Sequence, residues 1–131
     1  MKTTSITTLV FGAMMLAGCG GNGGNDTAPA RTNPVAACLT CHSFTKGVKR
    51  PTAPNLHDIV GKPAGSEPGF RYSDALKNSG IVWTREKLDA YLANPRALIP
   101  GTRMIYAGEP DAARRQAMID YMQNGEGDQA Q

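Results

Sequence analysis

The chain has 131 residues, which leaves room for one domain, and its formal charge of +3 is too mild for a nucleic-acid binder. With 6% aromatic residues and 15 glycines, such a domain builds only a thin core by itself, so another group is expected to help fill it. In chain order, MKTTSITTLVFGAMMLAGCG carries Lys2, an apolar run from Ile6 to Leu16 and small residues at its end, the layout of a secretory signal. The run is short for a membrane span.

Leu16-Ala17-Gly18-Cys19 resembles the lipobox of bacterial lipoproteins, which implies cleavage before Cys19 and a lipid on its sulfur. GGNGGNDTAPARTNP follows, with almost nothing to bury, and reads as a flexible tether. The predicted organisation is a signal peptide over 1–18, a tether over 19–32, a folded domain over 33–125 and a polar tail over 126–131.

ACLTCHS opens the chemistry. Two thiols three positions apart can form a redox disulfide, grip a metal ion or bond covalently to a porphyrin. Cys38-Leu39-Thr40-Cys41-His42 has the C-x-x-C-H form of a c-type heme attachment site. On a helical turn the two thiols share a face, and His42 follows where its imidazole reaches the iron. Asn33 is a predicted cap for that helix, with Pro34 in its first turn. The disulfide alternative expects a βαβ context, and the zinc alternative needs a fourth ligand for which only His57 is on offer.

Further helices are predicted from Ser73 to Asn78, stopped near Gly80, and after a Thr84 cap, with a Trp83–Leu88 staple and Leu88, Tyr91 and Leu92 on one face. Asn94-Pro95 ends that helix, and Pro110 opens a last one that fades at Gly125. Heme iron takes a second axial ligand or keeps an open site. Met118 and Met122 join Ile119 in an apolar stripe at helical spacing and read as core. Met104 sits instead in IPGTRMIYAG, a Pro-Gly segment that runs as a shaped loop and can present a side chain to a fixed metal.

CLTCHSF, APNLHDIVG, PGFRYSDALKNSGIVW, YLANPRALIPGTRMIYAG and IDYMQ occur in this order, and the series resembles class I, mitochondrial-type monoheme cytochromes c over about residues 33 to 124. The resemblance implies a small all-α cytochrome c fold of short helices around one covalent heme c. It also implies thioethers at Cys38 and Cys41, His42 as proximal ligand, Met104 as distal ligand and the Pro54 carbonyl on the other ring nitrogen of His42. Tyr72 and Trp83 match positions that hydrogen-bond a propionate, and Tyr91 matches the tyrosine beside the methionine sulfur. The chain departs from the pattern in a short N-terminal helix, in Lys62 where an arginine is usual and in Leu76 where an asparagine is usual.

The expected function is a membrane-anchored periplasmic electron carrier and not an enzyme. Its partners would be a quinol-oxidising complex such as cytochrome bc1 and a terminal oxidase or photosynthetic reaction centre. The alternative is a heme enzyme or ligand sensor, peroxidase-like, with a displaceable distal methionine. Lys46, Lys49, Arg50, Arg96 and Arg103 are the expected cations around an exposed heme edge, with Glu109 and Asp111 making the ring lopsided.

Overall fold

A computed structural model describes residues 33–124; the predicted signal peptide, the lipid site at Cys19, the tether and the tail over 126–131 lie outside the described residues. Among the described residues the regular structure is helical, apart from a single antiparallel bridge between Pro63 and Val82. The elements are a 3₁₀ turn over Cys38–Thr40, then α1 (Asp74–Lys77), α2 (Arg85–Ala93), α3 (Pro95–Leu98) and α4 (Ala112–Asn124).

Residues 33–42 form a string of turns instead of the expected short α-helix. Asn33 does accept the Val35 amide on its side chain, but i→i+3 bonds such as Cys38 N–H to the Val35 carbonyl mix with i→i+4 bonds from there on. So few residues cannot hold a helix by themselves. Tertiary anchors hold them instead, with Val35 fully buried and Phe44 edge-on to Tyr121 of α4 at 5.4 Å. This aromatic contact joins the N-terminal segment to the final helix.

The other helices follow their caps. Ser73 accepts the Leu76 amide at the start of α1, and Thr84 accepts the Lys87 amide at the start of α2. Trp83 and Leu88 are both buried across the α2 cap. Asn94 ends α2 but also accepts the Ala97 amide, so with Pro95 at the first turn it starts α3, an element not expected from the sequence. The final helix is opened not by Pro110 but by Asp111, whose carboxylate accepts from the amides of Ala113 and Arg114. A carboxylate can satisfy two orphan amides, and a proline can satisfy none.

Helices α2 and α4 pack together. Leu88, Tyr91 and Leu92 meet the core that Met118, Ile119 and Met122 build, joined by Val35, Phe44, Trp83 and Ile99. A polar seam runs beside this apolar contact: Arg115 donates to both oxygens of Asp89 at 2.9 and 3.3 Å, and Arg85 donates to Asp120 at 2.7 Å. The first pair holds the Asp89 carboxyl below the usual carboxylate range. Among the described residues no helix is long and apolar enough to cross a membrane.

Candidate functional site

The packed helices close only one side of the domain. Beside them lies a cavity of about 1000 Å³, at the upper end of the roughly 300–1,000 Å³ typical of small-molecule sites. Cys38, Cys41, His42, Pro54, Tyr72, Trp83, Tyr91 and Met104 all line it.

The attachment segment is fastened by its own backbone. The Cys38 carbonyl accepts the amides of both Cys41 and His42, at 3.0 and 2.8 Å, which places the two cysteines and the histidine on one tight turn. Thr52 Oγ1 donates to the Cys41 carbonyl and Arg50 to the Leu39 carbonyl. Cys38 is half-buried and Cys41 exposed, and the two are not joined in a disulfide. Burial pushes the Cys38 thiol above its ordinary pKa.

His42 Nδ1 lies 2.7 Å from the Pro54 carbonyl, so this nitrogen carries the proton and donates it, leaving the lone pair on Nε2. Burial lowers the His42 pKa, which keeps the ring neutral. A neutral imidazole with its tautomer fixed from behind is the form that coordinates a metal.

Met104 arrives on a segment with no helix. Exposure alternates along it: Thr102, Met104 and Tyr106 are half-buried, whereas Arg103, Ile105 and Ala107 are exposed, the period of extended backbone. Ile105 is 96% exposed. Extension here is what turns Met104 inward beside two other contact residues. TRMIYA has no polar–apolar alternation, with apolar Ile105 on the outer side, so the sequence carried no local signal for Thr102 and Tyr106, which the motif reading missed.

At the far end of the segment the Glu109 amide bonds the Leu92 carbonyl at 2.8 Å. Gly108, at φ 108°, presses so closely on the Ala93 carbonyl that a β-carbon there would overlap it. Only glycine fits that approach.

The aromatic residues take specific partners. Tyr91 hydrogen-bonds Thr102 through the two hydroxyls at 2.7 Å, and its ring packs at a tilt on Trp83 with centroids 5.0 Å apart. Trp83 is 6% exposed and fixed by backbone bonds to Gly61 and Lys62. The Tyr72 hydroxyl accepts the Glu67 amide at 3.3 Å and retains its own proton. Burial raises the pKa of both tyrosines, so each stays a protonated donor.

Lys62 and Leu76 also line the cavity, Lys62 with its Nζ donating to the His57 carbonyl. Of the two core methionines, Met122 reaches the cavity wall and Met118 does not. His57 is not a lining residue, and its Nδ1 is buried without a partner among the described residues.

These residues fit a heme. Two thiols, a neutral imidazole and a thioether border one cavity, and Leu56, Ile59, Leu88 and Leu92 supply an apolar wall suited to a macrocycle. The zinc alternative lacks a ligand set, because among the described residues no three His, Cys, Asp or Glu side chains gather as a metal-ion site.

Comparison with known proteins agrees. No family model matches the chain. Cytochrome c2 of Blastochloris viridis is 40% identical over 114 residues, 87% of this chain and 90% of that protein. Cytochrome c-550 of Ancylobacter novellus is 41% identical over 98 residues, 72% of this chain and 92% of that one. Among solved structures, cytochrome cH from Methylobacterium extorquens superposes with a TM-score of 0.65 at 36% identity, covering 70% of this chain and 91% of that chain.

Proposed function

This chain belongs to the class I monoheme cytochrome c family of electron-transfer proteins and carries one covalent heme c, and from that premise we propose that it is a periplasmic carrier tethered to a membrane by lipid on Cys19. The observation that carries the reading is the meeting of Cys38, Cys41, His42 and Met104 on one cavity. When bound, the heme supplies a one-electron couple.

The protein's part is to hold that couple still. Cys38 and Cys41 form the thioethers. His42 offers Nε2 because the Pro54 carbonyl takes the proton on Nδ1. Met104 is the distal ligand, and a thioether there gives a higher potential than a second imidazole would. Tyr72 and Trp83 serve as donors to the propionates, and Tyr91 supports the methionine side.

Exposed cations border the cavity mouth. Lys49, Arg50 and Arg103 line it as expected, joined by Arg71, while Lys46 and Arg96 stand exposed farther off. Glu109 is paired with Arg114 at 3.1 Å and Asp111 caps α4, so these acids weaken the ring less than their charge suggests. This surface suits an acidic partner, such as a cytochrome bc1-type quinol-oxidising complex on the donor side and a terminal oxidase or photosynthetic reaction centre on the acceptor side. Multiple acyl chains on Cys19 would keep the carrier at the membrane where one chain would not.

Redox titration of the full holoprotein, followed by reduction and oxidation kinetics against membranes from the source, tests the carrier reading; rapid peroxide turnover with slow electron exchange would overturn it. Cys19→Ala should release the protein into the soluble fraction with an unchanged heme spectrum. Retention of the variant at the membrane would remove the anchor.

A further inference from the structure

Lys49 and Arg50 are neighbours in the chain, both exposed and both on the cavity wall, yet their charges are held in different places. Lys49 Nζ donates to the Pro68 carbonyl at 3.3 Å, far along the chain. Arg50 Nη1 instead turns back and donates to the Leu39 carbonyl at 3.1 Å. Leu39 lies between the two cysteines of the attachment turn, so a full positive charge is fastened one hydrogen bond from that turn.

The carbonyls of the turn are not all met alike. The Cys38 carbonyl accepts the amides of Cys41 and His42, and the Cys41 carbonyl accepts the Thr52 hydroxyl, all neutral donors. The Leu39 carbonyl is met by a cation, in the stronger charge-assisted kind of bond. Among the described residues Arg50 forms no ion pair with a carboxylate, so its charge is not cancelled locally.

We propose that Arg50 tunes the redox potential: its guanidinium, held on the Leu39 carbonyl, favours the ferrous over the ferric state of a heme attached to this turn. This rests on the reading of Cys38, Cys41 and His42 as the heme attachment. Oxidation adds one positive charge at the iron, and a fixed cation on the same cavity opposes it. The hydrogen bond keeps the guanidinium at one place on the attachment turn, whereas the Lys49 ammonium is held at Pro68. Exposure limits the effect, since water and salt screen the charge. A docking role for the same side chain needs a partner, but this role is a property of the isolated protein.

The test is a redox titration of the full holoprotein against a reference dye, without any partner. Wild type, Arg50→Gln, Arg50→Lys and Lys49→Gln are compared, with covalent heme counted by mass. Arg50→Gln removes the charge and keeps a side-chain donor. It should move the equilibrium with the dye about two- to fivefold toward oxidised protein, the size expected of one exposed but fixed charge. Added salt should shrink that shift. Arg50→Lys keeps the charge and should stay near wild type, and Lys49→Gln should shift clearly less than Arg50→Gln.

If Arg50→Gln titrates with wild type, or Arg50→Lys falls as far as the glutamine variant, charge at this position does not set the potential and the proposal fails. An equal shift in Lys49→Gln overturns it too, because any cation at the mouth would then serve. Should Arg50→Gln not take up heme, Arg50→Ala replaces it, and failure of both makes the side chain a structural tie and ends the proposal. Heme found off Cys38 and Cys41 in mass mapping of wild type would instead sink the attachment reading, a separate result read before any variant is made.

Discussion

The attachment segment and the methionine segment border the same cavity but are held in different ways. Around Cys38, Cys41 and His42, short-range backbone bonds, side-chain bonds from Arg50 and Thr52 and the Pro54 contact overlap within a few residues. Nearby, Asn55 closes the following loop with bonds to the Thr45 and Val48 carbonyls at 2.7 and 2.6 Å. Among the described residues, 103–108 have one main-chain bond and one side-chain tie, from Arg103 to the Arg71 carbonyl. A site built this way has one fixed wall and one that depends on distant anchors. On the proposed ligand assignment, the fixed wall would set heme assembly and the other the electronic properties of the iron.

The largest expected effect would break this contrast outright. His42→Ala should abolish assembly or leave little holoprotein, because it removes both the proximal ligand and the Pro54 tie, whereas Met104→Ala should keep covalent heme and fold. In the latter variant the potential should drop and cyanide should bind readily. Comparing heme content by mass and absorbance for the pair decides the matter; equal losses would mean that the two walls are not separable.

Next in size is the methionine that also reaches the cavity. Met122→Ala and Met118→Ala should each cost about 2–5 kcal/mol in denaturant unfolding, as truncations of buried methionines, with wild-type coordination retained. Loss of the thioether band in Met122→Ala, with the band intact in Met104→Ala, would transfer the ligand role from the loop to α4.

A smaller effect probes the outer face of the weakly held segment. Arg103→Glu should slow association with an acidic redox partner more at low salt than at high salt, since exposed charges are screened over about 10 Å at 0.1 M. Stopped-flow rates across ionic strength measure this, and a constant ratio would leave no steering at Arg103.

The smallest concerns the α2–α4 seam that supports both walls. The Asp89 pKa is depressed when folded, so its contribution to stability is present above the unfolded value of about 3.9 and is lost as pH falls through the lower folded value. Asp89→Asn should therefore flatten the fall of thermal stability below about pH 4. Identical acid profiles for wild type and variant would show that the pair contributes no pH-linked stability.

The sequence by itself determined the features that rest on neighbours in the chain. Cys38, Cys41 and His42 are grouped because a single turn joins them, and the caps at Ser73 and Thr84 and the Leu88, Tyr91, Leu92 face follow from local spacing. Fold and family were legible for the same reason, as several short motifs in a fixed order. Tertiary structure decided what spacing cannot express. It placed Met122 on the cavity and Met118 off it, although both lie on one stripe, because the cavity covers only part of the α4 face. It paired Tyr91 with Thr102 and replaced the N-terminal helix by anchored turns. Each of these depends on which groups 11 or more residues apart come within hydrogen-bond or packing distance, as with the 11-residue separation of Tyr91 and Thr102, and that is fixed only when the chain closes around its core.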